Sequence, residues 1–207
     1  MVVSGQIKGL KKGTLYLQHI PDSTLAVVDS LVLDGSGDFS FTTALKSPEI
    51  FYLYLDKKDN NDINDRITFF GEPGQININT KWNTFDLDPK INGSVSNEKL
   101  LEFRGMMSRF NIAEMQIMEA AFKANVEQDK KTLDSLLTAS DRNTLRGYLF
   151  ALNFAMNNSD SYVAPYVAVT EVSNANPKFL DSIYKKLSPE VAASKYGSLL
   201  EKLITQE

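Results

Sequence analysis

The sequence predicts an α+β fold, an N-terminal antiparallel β-sandwich over residues 1–93 followed by an α-helical domain over residues 94–207. Three observations carry this. Apolar residues alternate with a period of two through the first 93 or so residues, as half-buried strands require. After Gly93 the period becomes 3.6, that of a helix with a buried face. Clusters of Gly, Pro, Asn and Asp separate the alternating runs at the short spacing of a sandwich or barrel.

The strands follow in order. "VVSGQIKGL" and "GTLYLQHI" flank a turn at Lys11-Lys12-Gly13. "STLAVVDSLVLD" and "DFSFTTAL" flank Gly35-Ser36-Gly37, where glycine permits the positive φ of a tight connection. "EIFYLYLD" and "ITFF" enclose the polar stretch "KKDNNDINDR". Glu72-Pro73-Gly74 has proline and glycine where turns favour them, and "QININT" alternates strictly behind it.

The helices begin at "NEKLLEFRGMMSRFNIAEMQIMEAAFKANV", with Ser94 or Asn97 able to cap the start. Phe103, Met106, Phe110, Ala113, Ile117 and Ala121 form one stripe, with Met107, Met115, Met118 and Phe122 beside it, and Gly105 is a point where the helix can bend. "DKKTLDSLLTA" reads as a short helix, and "DRNTLRGYLFALNFAMN" as another with Leu145, Tyr148, Leu149, Leu152 and Met156 on one face. Asp160-Ser161 can cap "SYVAPYVAVTEV", whose Pro165 falls near the first turn. Asn176-Pro177 and Ser188-Pro189 are each a capping residue followed by a proline whose missing N–H had no partner to lose. The last stripe, Leu199, Leu200 and Leu203, must bury against something.

Composition bounds the function. With 207 residues the chain can bury roughly 70% of the surface exposed by its unfolded form. A net charge of −4 leaves no basic footprint for nucleic acid. No apolar run nears the roughly 20 residues that cross a bilayer. Zero cysteines remove disulfides, thiolate metal sites and cysteine nucleophiles, so the chain does not itself exchange thiols. Met1 leads directly into a strand pattern, which fits a cytoplasmic chain or one whose export signal has been removed.

Candidate chemistry is sparse. Asp56 to Asp65 is carboxylate-rich, but read from Asn60 the glycine and acidic positions of a calcium-binding hand hold Asp65 and Gly71, so a solvated hairpin loop is expected. Met106, Met107, Met115 and Met118 have thioethers for Cu(I), yet their interleaving with Phe103, Phe110 and Phe122 suits a core filled by flexible side chains. His19, the single histidine, has no orienting partner nearby in sequence and is expected to end a strand at the surface. Glu102, Glu114 and Glu119 would need a shared cleft to act as a hydrolase pair. The Asn92 and Asn157 sequons read as turn and cap residues. No catalytic constellation, metal site or cofactor is expected. The one candidate ligand or partner surface is aromatic, Tyr52 and Tyr54 on one side of a strand whose Phe51, Leu53 and Leu55 face the other way, together with Trp82.

Several segments together resemble a known family. "VSGQIKGLKKGTLYLQHI", "VDSLVLDGSGDFSF", "FYLYLD", "ITFFGEPGQININT" and "INGSVSNEKLLEF" are similar, in that order, to the domain of unknown function numbered 4369. That domain begins many envelope thiol-disulfide interchange proteins of Gram-negative bacteria. "NNSDSYVAPYVAV" and "LDSIYKKLSPEVAASKYGSLLEKLI" resemble the region between it and the thioredoxin-like module that usually follows. The resemblance implies a sandwich followed by helices, a periplasmic or outer-membrane-anchored location, and membrane association only through a lipid anchor that this sequence lacks. It implies no catalytic residues here, and the Cys-x-x-Cys of the redox module is missing.

The expected function is therefore a non-catalytic envelope module that binds a partner protein or positions a neighbouring thioredoxin-like domain. A ligand-binding sandwich, with glycans as the candidate ligand, is the alternative. The apolar helical faces also allow a homodimer.

Overall fold

Strands form where the alternation is strict. In β7 (Gln75–Lys81), Ile76, Ile78 and Thr80 are buried while Gln75, Asn77, Asn79 and Lys81 are exposed. The computed structural model describes residues 1–57 and 65–205, which divide into two units, Met1–Glu98 and Lys99–Glu207. Strands in two sheets followed by helices give the expected α+β layout. Residues 58–64, most of the stretch considered for calcium, lie outside the described residues.

The first unit holds β1 (Val2–Lys8), β2 (Lys12–His19), β3 (Ala26–Asp34), β4 (Asp38–Thr42), β5 (Glu49–Asp56), β6 (Asp65–Gly71), β7 and β8 (Lys90–Asn92). One sheet has the order β4-β1-β7-β8 and the other β3-β2-β5-β6. Their inner faces share one core, to which Val3, Ile7, Phe41, Ile76 and Ile78 come from the first sheet and Leu15, Leu17, Phe51, Leu53 and Phe69 from the second. Burying large side chains from both sheets is what stabilises a sandwich.

Two details differ from the expectation. The pairing of β1 with β7 is parallel, in register from Val2–Gln75 to Lys8–Lys81, so the first sheet is mixed and not wholly antiparallel. Short hairpins force antiparallel neighbours, but five strands separate β1 from β7 and leave their relative direction free. The first turn also lies at Gly9–Lys11, because β2 already starts at Lys12; this turn carries the chain from one sheet to the other.

Where the sandwich ends, Gly93 takes φ +84°, and a Cβ there would lie 2.3 Å from the Gln75 carbonyl oxygen. Ser94 then caps α1 (Val95–Val126), its hydroxyl accepting the Asn97 N–H at 3.0 Å. Glu72 accepts from both the Ser96 N–H and the Ser96 hydroxyl, placing a carboxylate at a helix N-terminus. Asn97 does not cap. Buried at 6% exposure, it accepts the Phe70 N–H and donates to the Phe70 carbonyl, both at 2.7 Å. Its amide thus continues the hydrogen-bonding of edge strand β6 in the way another strand would.

The second unit holds the rest of α1, then α2 (Lys130–Asn157), α3 (Val163–Glu171), α4 (Pro177–Lys186), α5 (Pro189–Ala192) and α6 (Lys195–Thr205). The two helices expected between 129 and 157 are one. No Gly or Pro separates Ala139 from Arg142, and the Ser140 hydroxyl donates to Glu114 on α1 in place of capping a new helix. Asp129 caps α2 through the Thr132 N–H and hydroxyl, and Asn176 and Ser188 cap α4 and α5 ahead of their prolines. Tyr162 precedes α3 without a side-chain cap, while Ser161 accepts from the Val163 N–H. Phe103 and Phe110 on α1 meet Phe150 and Phe154 on α2, with Phe103 and Phe154 centroids 5.0 Å apart. α3 is the most buried helix of the unit, and Leu200 of the last stripe is fully buried, while Leu199 remains 42% exposed.

Candidate functional site

The three aromatic candidates do not converge. Tyr52 and Tyr54 lie on the outer face of the second sheet, where Tyr54 pairs in register with Tyr16 and Arg66. Tyr16 stacks on Tyr54 with centroids 5.8 Å apart, and the Arg66 guanidinium lies 5.5 Å from both the Tyr52 and the Tyr54 centroid. The arginine covers these half-buried rings by cation–π attraction, so they are not an open stacking platform. On the same face Gln18, opposite Tyr52, is 6% exposed and its Oε1 has no partner among the described residues.

Trp82 follows the other sheet, in the 3-10 turn Trp82–Thr84 after β7. Its indole lies over Gly9, where a Cβ would stand 2.7 Å from the ring, and the Lys57 ammonium is 5.6 Å from the ring centroid. The ring remains 43% exposed. The outer face of the first sheet carries a polar groove of about 370 Å³ lined by Gln6, Lys8, Asn79, Lys81, Asp88 and Lys90.

His19 ends β2 as expected, but the fold supplies a partner 30 residues away. Its Nδ1 is 3.2 Å from Glu49 Oε1, and the ring stacks on Phe51 at 5.2 Å. That stacking packs the histidine into the end of the sandwich.

The three helical glutamates point in directions about a third of a turn apart and each has its own neighbour. Glu102 pairs with Lys99 and Glu119 with Lys123, both on the surface of α1. Glu114 accepts hydrogen bonds from the Ser140 hydroxyl and the Asn143 amide, which hold its carboxyl below the usual range against the opposing effect of burial. Asn143 also donates to the Phe110 carbonyl, so this polar group ties α2 to α1. It borders a groove of about 500 Å³ lined by Ala113, Ile117, Thr138, Arg142, Asn143 and Arg146. No group of three or more metal-ligating side chains occurs among the described residues.

One surface feature of α1 was not anticipated. The stripe from Phe103 to Ala121 turns inward, but the residues beside it divide. Met107 is half-buried, whereas Met115, Met118 and Phe122 are 73%, 46% and 70% exposed. The core role expected for these three is thus overturned, because Phe103 and Phe110 commit the opposite side of α1 to α2. With Leu101, Ile112 and Val126, also exposed, they lie within an arc of about 120° at 100° per residue. The sequence signal was the breadth of the apolar surface, wider than one packed face needs.

Residues 1–100 match the sequence model of a family described as a domain of unknown function (DUF4369). No curated protein and no solved structure matches the chain. The matched segment covers the eight strands of the described residues, the Gly93 turn and the Asn97 contact. The similarity of this chain to the DUF4369 family thus extends over residues 1–100 of its 207.

Proposed function

We propose that this chain is a non-catalytic module of the cell envelope that binds a partner protein through the outer face of α1. One observation carries the reading, namely the exposed run Ile112, Met115, Met118, Phe122 and Val126 on a helix whose other side is already packed. Burial of such a surface yields about 25 cal/mol per Å² of apolar area. A contiguous exposed patch of this kind is characteristic of interaction sites. The resemblance of the helical segments to those preceding thioredoxin-like modules supports a neighbouring redox domain as a specific partner. It also supports a periplasmic or outer-membrane location with attachment through a lipid anchor; no described helix is long and apolar enough to cross a membrane.

A photo-crosslinking amino acid placed at Met115 in cells tests the reading. It should yield a protein adduct identifiable by mass spectrometry, while the same probe at the exposed Asp134 yields none. Absence of any protein adduct from Met115 overturns it.

A second reading, ligand binding with glycans as the candidate class, is favoured by the exposed Trp82 and by the polar groove of Gln6, Lys8, Asn79 and Lys81. An exposed indole stacks on sugar faces, and amides and amines bond hydroxyls. Trp82 is the sole tryptophan, so its fluorescence reports on stacking at that ring. Saturable change on titration with oligosaccharides supports this reading, and no change across a glycan panel removes it.

A further inference from the structure

The exposed face of α1 carries a continuous seam of side chains along the length of the helix. Leu101, Gly105, Ser108, Ile112, Met115, Glu119, Phe122 and Val126 are spaced alternately four and three residues apart, and every one is exposed. A spacing of four and three is the seam of a helix that packs against another along its length. Resting on the partner-binding reading above, we propose that the occupant of this seam is α1 of a second copy of the chain, packed antiparallel.

The seam is complementary to itself in that orientation. Two copies related by a two-fold axis passing between Ala113 and Glu114 bring Leu101 beside Val126 and Ile112 beside Met115 of the second copy. The same operation sets Phe122 against Gly105, where a Cβ would meet nothing within 4 Å and the helix leaves room for a ring. It sets the Ser108 hydroxyl, a donor, against the Glu119 carboxylate, an acceptor. On the flank it brings Glu102 toward Lys123, opposite charges in the positions that set orientation in paired helices. A parallel pair in register would oppose Glu119 to Glu119, Phe122 to Phe122 and Gly105 to Gly105. That leaves like charges together and a gap beside a crowded layer. An isologous contact is also the commonest way that one patch closes on itself.

The area suffices. At roughly 150–250 Å² for a large side chain, Leu101, Ile112, Met115, Met118, Phe122 and Val126 present on the order of 700 Å² per copy at their observed exposures. A stable interface buries about 800 Å² per partner, and the polar flanks supply the remainder.

Light scattering of the whole chain at micromolar concentration should give the mass of two copies. Met115→Glu, at a position 73% exposed, should give the mass of one with unchanged helical circular dichroism. Register is read by cysteines, since the chain has none of its own. When a Leu101→Cys chain is mixed with a Val126→Cys chain and oxidised, the mixed disulfide should predominate over either symmetric one. A monomeric wild-type chain overturns the proposal, as does a dimer that survives Met115→Glu or one that forms mainly symmetric disulfides. If the wild-type chain is monomeric while the Met115 photo-crosslink captures a different protein, partner binding stands and self-association falls.

Discussion

Asn97 clasps the main chain of Phe70 from both sides, its Oδ1 accepting the Phe70 N–H and its Nδ2 donating to the Phe70 carbonyl, each at 2.7 Å. A side-chain amide reproduces the donor and acceptor of a peptide group, so it can take the place of a neighbouring strand at the edge of a sheet. The first turn of α1 is thereby fixed to β6.

Asn97→Ala removes both of these bonds in a buried setting and should cost about 2–4 kcal/mol of stability. Asn97→Asp keeps the acceptor for the Phe70 N–H but sets a carboxylate against the Phe70 carbonyl, and should be at least as harmful near neutral pH. Urea unfolding midpoints of the three chains check this. Equal midpoints would mean that the contact contributes nothing.

Gly93 has no tolerated replacement with a Cβ. Its φ of +84° strains any L side chain, and the added carbon would lie 2.3 Å from the Gln75 oxygen. Gly93→Ala should therefore cost about 2 kcal/mol or more. The measurement is again the urea midpoint, with Gly105→Ala in the dilute, single-copy chain as the control, since within one copy the Gly105 site is open and helical and should gain or stay level.

Phe103 is 2% exposed and packs on Phe150 and Phe154. Phe103→Ala should destabilise the helical unit by about 3–5 kcal/mol, with loss of helical circular dichroism at lower denaturant. Phe122→Ala, at 70% exposure, should leave the stability of an isolated chain nearly unchanged. The pair separates the two sides of α1.

Acid should loosen the link between α1 and α2. Hydrogen bonds from Ser140, then Asn143, hold the Glu114 carboxyl below its ordinary range, so folding favours the ionised form. The contribution is complete at pH values where a free glutamate is ionised, and is lost as pH falls through the lowered value. Between neutral pH and acid the wild type should lose more stability than Glu114→Gln does. By NMR the Glu114 titration should move upward in Ser140→Ala. A titration unaffected by that substitution would contradict the arrangement.

The sequence made local choices legible and distant ones not. Alternation in "QININT" and "DFSFT" gives the buried faces of β7 and β4 correctly, and Asn176-Pro177 and Ser188-Pro189 mark helix starts that form as read. Partners far apart in the chain were hidden. The parallel pairing of β1 with β7 follows from where intervening strands place the chain, and Glu49 reaches His19 only because β2 and β5 are neighbours. The division of α1 into a packed side and an open side was invisible for the same reason. An apolar residue on a helix reads alike in a core and at an interface, and only the position of α2 distinguishes Phe110 from Met115. The spacing of the aromatic candidates was hidden as well, because Tyr52 lies on β5 of one sheet while Trp82 follows β7 of the other.

The proposed partner binding requires the outer face of α1 to be covered by protein in the working form of this molecule. Hydroxyl-radical footprinting tests it by comparing methionine oxidation in the highly diluted chain with that in intact cells. Met115 and Met118 should oxidise readily in the diluted chain and several-fold less in cells, while half-buried Met106 changes little. Equal oxidation of Met115 in both settings would contradict it.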